Sequence, residues 1–532
     1  MIKITGLKFN NCTIKNSIAV LILFAISVGY LVPVLSMRVG LYDEGIVLTG
    51  ADRILKGDIP YRDFWTIYTP GQYYTLAFLF KVFGSSILVE RIYDIFVKAA
   101  ISVLSFVIVL QLDFSRKVAL VSWAMSLFWV AYMQFAVYPV YPALLLIYLS
   151  INSYFNYIRK YNIQSLIFCA VFIAITALFR HDFGAMAFLA VTITIFIKIF
   201  FLKEGKRREI VYFIGAVFIV SLPFLAIAWM KIGLNVLVNQ MILLPAEIMP
   251  KYRWVPYPDL SFINIEFYVV PLVVFIGNII GIALILKKQE KNNLLIQGIL
   301  LVSLLGFFLL NQVRVRSDLV HLLPAAIVSF LLVPFIWRGF YEVFSLTVSR
   351  IMYLLVIIMF SASFFKAVIL NKRHSLRYRN VVAVELSRAG CASIPLDLQY
   401  TISYIQNNTS KNDSIYVGVT DHDQFIANDT IIYYLSERNY ATRFNQFDPG
   451  VSNTLDAQKI IIGELERKKT NLLVLSNSYW YEPNETRFNF NVNIIDNYIK
   501  KCYNIDKVIG KYLVLKRKND VQEGEWGHAT SR

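Results

Sequence analysis

Runs of about twenty consecutive apolar residues recur through the first 370 of the 532 residues, and no other feature restricts the fold so severely. A run of that length matches the thickness of a bilayer core, where backbone polar groups have no water and must pair within a helix. About eleven such segments can be placed, near 17–36, 88–110, 118–135, 138–157, 164–180, 183–201, 210–230, 266–286, 294–311, 319–336 and 351–370. With 57% hydrophobic and only 16% charged residues, the chain reads as an α-helical polytopic membrane protein. The first run has a basic flank but no small-residue cleavage site, and further runs follow, so it is expected to be a retained span.

The net charge of +17 invites a nucleic-acid reading, but its distribution argues against one. With the N-terminus inside, the inner segments hold 17 Lys and Arg, among them Arg116, Lys117, Arg159 and Lys160, against five acids. This is the positive-inside pattern that orients membrane proteins. It implies a multi-pass protein of the plasma (inner) membrane with a cytoplasmic N-terminus, surrounded by membrane lipids and with no nucleic-acid partner. Of the four cysteines, only Cys391 and Cys502 would meet an oxidising compartment, and a disulfide and two free thiols both stay open.

Beyond 371 the apolar runs stop and short helix and strand patterns alternate. Residues 371–520 therefore read as a small outer-face α/β domain, reached through the basic "NKRHSLRYRN" and followed by a polar, disordered tail at 521–532. Residues 1–370 form the transmembrane domain. Its outer loop at 37–87 carries an acidic motif and "TPGQYYTLAFLFKVFGSS", an apolar stretch too short to span that reads as a helix in the interface.

Charged residues at span ends are the candidates for chemistry. Asp43 and Glu44 follow the first run directly, and an acid beside hydrocarbon is costly unless paired, hydrated or used. Asp52, Asp58 and Asp63 interleave with Arg53, Lys56 and Arg62, which suggests an ordered polar network. "FRHDFG" places Arg180, His181 and Asp182 at one outer turn; "RSDLVHLLP" places Arg316, Asp318 and His321 at another. Snorkelling explains one arginine at such a place more easily than these clusters. An arginine there can grip a phosphate through a planar fork. There is no P-loop, paired-His spacing or CxxC; "TDHDQF" (Asp421, His422, Asp423) reads as a surface loop rather than a metal site.

At these residues the chain resembles the GT-C polytopic glycosyltransferases, in particular the branch of protein O-mannosyltransferases and lipid A aminoarabinose transferases. "YDEG" after span one, "GDIPYRDFWTIYTPGQYYTLAFLFKVFG", and Arg91 in "VERIYD" carry the resemblance, with the two outer turns in support. It implies transfer of a sugar from a polyprenyl-phosphate donor to a lipid, glycan or protein acceptor on the outer face, with inversion. By carry-over, a loop carboxylate, Asp43, is the general base and Glu44 orients the acceptor or tunes its neighbour. Arg316 and Arg180 meet the leaving phosphate, with Arg91 and Arg62 behind them. Asp182 and Asp318 hold the guanidiniums, and His321 donates to phosphate. The superfamily is mixed in its use of a divalent metal ion, and no ligand set here requires one. The rival expectations are a transporter or flippase of lipid-linked sugars, an O-antigen ligase or polymerase, and a catalytically inactive glycan assembly protein.

Overall fold

The computed structural model describes residues 7–132, 138–286, 293–343, 382–423, 427–477 and 491–519, with a few isolated positions between 345 and 354. The eleventh expected span, the basic linker at 371–380 and the tail at 521–532 lie outside these residues, except for the first few positions of that span. Helices occupy the other ten expected spans. They are α1 (Leu7–Leu31, continued by a 3-10 turn over Val32–Ser36), α4 (Ile87–Gln111), α5 (Arg116–Tyr132), α6 (Val140–Lys160), α7 (Ile163–Phe179), α8 (His181–Phe200), α9 (Arg208–Ile232), α12 (Glu266–Leu286), α13 (Asn293–Leu309) and α15 (Leu319–Val343). Among the described residues, seven helices are long and apolar enough to cross a membrane.

Burial sorts these helices into centre and rim. The apolar window of α15 is 83% buried, whereas that of α9 is 6% buried and turns its side chains outward, as a lipid-facing helix does. Helices α12, α13 and α15 approach closely because small residues sit at the crossings. A Cβ on Gly298 would come within 2.5 Å of Phe335, and one on Gly339 within 2.4 Å of Ile280.

Between α1 and α4, two further helices replace the expected open loop. The acid pair opens α2 (Asp43–Leu55), and the interfacial stretch is α3 (Gly71–Phe83). Asp43 is therefore a first-turn helical residue, at the end where the macrodipole favours an anion. Segment 234–252 winds through α10 (Leu234–Val238), a π-helix (Asn239–Ile248) and α11 (Met249–Tyr252), and α14 (Asn311–Val315) links α13 to Arg316.

The C-terminal region is a five-stranded sheet in the order β2-β1-β3-β5-β4. β1 (Ser414–Val419) pairs parallel with β2 (Asn439–Tyr440) and β3 (Leu472–Ser476); β5 (Tyr512–Arg517) lies antiparallel between β3 and β4 (Tyr503–Ile509). The β4–β5 connection turns at Gly510 with φ +55°, a conformation glycine adopts without strain. Helices α16 (Leu396–Asn408), α17 (Ile431–Ser436), α18 (Leu455–Arg467) and α19 (Ile494–Cys502) cover the sheet. The expected α/β alternation is present, with α19, β2 and β4 added to the elements read from sequence. Cys391 and Cys502 are not joined to one another by a disulfide, and Cys502 is buried.

Segment 37–87 packs on this domain as well as on the bundle. Val39, Ile46, Val47, Leu76 and Phe80 share one apolar cluster with Leu398, Ile402, Ile431 and Val474. The backbones of Val39 and Ser393 join at 3.0 Å, Thr430 Oγ1 donates to the Tyr42 carbonyl at 2.9 Å, and Thr49 Oγ1 donates to the Thr430 carbonyl at 3.1 Å. Gly45 permits this contact: a Cβ there would lie 2.3 Å from Thr430 Oγ1.

Candidate active site

Adjacent residues on a helix diverge by about 100°, and Asp43 and Glu44 accordingly face different surroundings. Glu44 is 4% exposed. Its Oε1 accepts from Arg91 Nε at 2.9 Å; its Oε2 accepts from the second Arg91 nitrogen at 3.1 Å and from the Gly40 N–H at 2.6 Å. Arg91, 1% exposed, also donates to the carbonyls of Val34, Leu35 and Met37 at 2.8–3.1 Å. The fork that sequence reading offered to a phosphate is thus taken up by the turn between α1 and α2.

Asp43 is half-buried and receives a long hydrogen bond from the Tyr68 hydroxyl at 3.4 Å. Burial raises its pKa above the ordinary carboxylate value and the Asp448 charge pushes the same way; Arg253, Tyr68 and Arg316 hold part of the rise back. The Tyr138 ring meets Tyr68 edge-on at 5.7 Å, and its hydroxyl lies in the field of Arg180, Asp43, Asp318 and Arg253. Tyr138 therefore marks where these separate turns converge.

Each cation is aimed by a partner. Arg180 alone separates α7 from α8; its extended backbone (φ −148°, ψ 101°) breaks the helix there, and its N–H closes on Thr176. Its guanidinium forks onto Asp182 at 2.9 and 2.6 Å and reaches Gln312 Oε1 at 2.9 Å, while Gln312 Nε2 returns to Asp182 at 2.6 Å. The turns near 180 and 312 are thereby locked together. Arg316 Nε donates to Asp318 Oδ2 at 3.1 Å; Asp318 Oδ1 accepts the His321 N–H at 3.0 Å and lies 2.7 Å from His321 Nδ1. Burial opposes the Asp318 charge, but the His321 and Arg316 contacts outweigh it and hold the carboxyl well below its usual range.

Arg253 comes from a segment that motif reading passed over. The Val255 N–H bonds the Val315 carbonyl at 3.0 Å, which lays this segment alongside Arg316. Arg253 donates to Asp448 of the C-terminal domain at 2.6 Å, and the other Asp448 oxygen accepts from Tyr42 at 3.0 Å and from Gln446 at 3.0 Å. Asp448 has no exposed side-chain surface. It joins the soluble domain to Arg253 and to the residue preceding Asp43.

Of the residues read from sequence, Asp43, Arg180, Asp182, Arg316, Asp318 and His321 come together here. His181 points to the backbone of Met241. Glu44 and Arg91 face one another, away from Asp43. Arg62 and Asp63 form a surface pair at 2.7 Å; Ile59 and Arg53 bond Asp63, and Arg443 donates to the Arg62 carbonyl. The polar network expected around them does form: Arg53 bonds Asp58 at 2.7 Å, and Arg388 of the C-terminal domain bonds Asp52 at 2.8 Å. Lys251 and Arg253, two bases in a segment expected on the outer side, were the available signal for the Arg253 side, because there they run against the positive-inside pattern.

Among the described residues, no group of three or more His, Cys, Asp or Glu side chains is arranged to hold a metal ion. His422, expected on a surface loop, is instead buried. Its Nδ1 lies 2.7 Å from Asp496 and its Nε2 lies 2.7 Å from the Tyr416 hydroxyl, an arrangement that pins α19 to β1.

No family model and no curated protein matches the chain. Among solved structures, the crystal structure of ArnT from Cupriavidus metallidurans bound to undecaprenyl phosphate is similar over 96% of this chain and 98% of that one, at 11% identity and a TM-score of 0.50. The likeness runs end to end and includes the C-terminal domain. The chain therefore shares the fold of that structure.

Proposed function

We propose that this protein transfers a sugar from a polyprenyl-phosphate-linked donor to a hydroxyl of a lipid, glycan or protein acceptor, with Asp43 as general base. The observation that carries this reading is the convergence of one half-buried carboxylate with Arg180, Arg253 and Arg316 in a chain with the ArnT fold. That neighbour was solved with undecaprenyl phosphate bound, which supports a lipid-phosphate ligand here.

The acceptor oxygen attacks the anomeric carbon as the bond from that carbon to the phosphate oxygen breaks on the opposite face. Asp43 takes the acceptor proton, and a pKa raised by burial above the ordinary carboxylate value makes it a stronger base than an exposed aspartate. The bonding pair leaves with the polyprenyl phosphate, whose growing charge is met by guanidiniums already fixed by Asp182, Asp318 and Asp448. Tyr68 and Tyr138 line the space between base and cations. We assign Glu44 and Arg91 to holding the start of α2, and no chemical role to Arg62 or Asp63.

The test is transfer from radiolabelled polyprenyl-phosphate sugars by purified wild type and Asp43→Asn. Loss of at least about a hundredfold in turnover is expected; equal transfer by the two would remove Asp43 as the base.

One observation favours a second reading, movement of lipid-linked sugars across the bilayer. Helix α4 carries Glu90, Arg91, Asp94 and Lys98 within its first three turns, all buried, and buried ionisable groups within a membrane often mark a pathway. Asp94 and Lys98 pair at 2.6 Å and Arg91 is closed on Glu44, so three of the four groups are neutralised in pairs as structural charges are. Translocation of a labelled lipid-linked sugar in liposomes, without transfer, would reverse that preference.

A further inference from the structure

A cleft of about 530 Å³ opens between α1, α4 and α6, at the far end of the bundle from Asp43. Val20 and Leu21 of α1, Val107, Leu110 and Gln111 of α4, and Arg159 of α6 line it. Twenty residues of α4 separate Arg91 from Gln111, about 30 Å of helix, so the cleft faces the opposite leaflet. Its walls are aliphatic and Leu21 is 69% exposed, as befits a surface that meets hydrocarbon.

The mouth of the cleft has a different character. Gln111 Nε2 is fixed by Asn152 at 2.9 Å and by Asn156 at 3.2 Å, while its buried Oε1 accepts no hydrogen bond. A buried acceptor in that state is normally filled by a donor from a partner molecule or water. Arg159 donates to the Gln111 carbonyl at 2.7 Å and to Asp113 at 3.2 Å. Asp113 is 64% exposed, so this ion pair is solvated and open to exchange. Arg116, Lys117 and Lys160 are exposed on the turns at this end, and Arg338 donates to the Leu112 carbonyl at 3.4 Å. Arg159 thus lines the mouth, with four further bases on the same end of the bundle and Asp113 as its paired acid, and basic pockets between membrane helices suit lipid headgroups.

We propose that the cleft is a binding site for an anionic phospholipid whose headgroup carries a hydroxyl. One acyl chain lies along Val20, Leu21, Val107 and Leu110. The phosphate displaces Asp113 from Arg159, and the headgroup hydroxyl donates to Gln111 Oε1. The volume falls within the range of about 300–1,000 Å³ that ligand sites usually offer, which suits a chain and headgroup base rather than a whole lipid. The site is independent of the transferase reading, since it rests only on the chain lying in a bilayer.

The experiment is native mass spectrometry of the purified full-length protein in detergent, titrated with phosphatidylglycerol or with phosphatidylcholine of the same acyl chains. Wild type is expected to retain phosphatidylglycerol at least about fivefold better, and Arg159→Gln to lose about that factor. Leu110→Trp, which fills the cleft, is expected to abolish the preference. Asp113→Asn, which removes the competing carboxylate, is expected to strengthen phosphatidylglycerol binding. Equal retention of the two lipids by wild type, or equal phosphatidylglycerol binding by wild type and Arg159→Gln, overturns the proposal. Where Arg159→Gln does not fold, Asp113→Asn decides: unchanged or weaker binding overturns it.

Discussion

Replacing Arg91 with methionine is the sharpest test of how the acid pair divides its work. The substitution leaves buried Glu44 with its strongest partner gone, and it strips donors from the carbonyls of Val34, Leu35 and Met37. Removing one partner of a buried, hydrogen-bonded ion pair typically costs about 3–5 kcal/mol. Glu44→Gln is expected to cost somewhat less, because an amide still serves one Arg91 nitrogen. The Glu44→Gln/Arg91→Met double variant should be less damaged than the two single costs added together, since neither charge is then left alone. The assay is the unfolding rate in detergent followed by tryptophan fluorescence. If the whole loss falls on unfolding, Arg91→Met unfolds about 10² to 5 × 10³ times faster. Asp43→Asn, by contrast, should unfold at the wild-type rate while losing turnover. Wild-type unfolding by Glu44→Gln together with lost transfer would refute the structural assignment and return Glu44 to the chemistry.

Further outcomes follow from the same geometry. Asp43 must be ionised to act as a base, so activity should fall as pH drops through its raised pKa, placing the acid limb above the ordinary carboxylate value. Arg253→Gln removes the strongest influence holding that pKa down, so the limb in a pH–turnover profile should move to still higher pH; an unmoved limb would mean that Arg253 does not face Asp43. Asp448→Asn releases Arg253 and should raise KM for the lipid-linked donor more than it lowers kcat; an unchanged KM would place Arg253 away from the phosphate. Gly45→Ala forces a methyl against Thr430 and the Ile431 backbone, at a cost of about 1–3 kcal/mol, and should make the C-terminal domain easier to cleave by limited proteolysis.

The membrane half was legible because its signal is long and redundant: a run of twenty apolar residues tolerates an error of several. Asp43, Arg180 and Arg316 were legible for the opposite reason, since a charge at the edge of such a run is locally out of place. Glu44 and Arg91 carry the same anomaly, and sequence gives no means of telling an acid that faces a substrate site from one that faces an arginine 47 positions later. Helix α2 was hidden because Gly45 and Gly50 lower its intrinsic propensity. Those glycines are explained only by Thr430 and Tyr73 lying against them. Arg253 and Asp448 lie 195 residues apart, and neither neighbourhood hints at the other.

The C-terminal domain grips the chain just ahead of the proposed base: Ser393 binds the backbone at Met37 and Val39, Thr430 binds the carbonyl of Tyr42, and Asp448 binds the Tyr42 hydroxyl. Domain and carboxylate therefore form a single mechanical unit, with a lever arm of one residue between the last gripped position and Asp43. A displacement of the domain, by a bound glycan or a neighbouring protein, would reach that carboxylate almost undamped, so exchanging the tail between relatives would also mean re-seating the base.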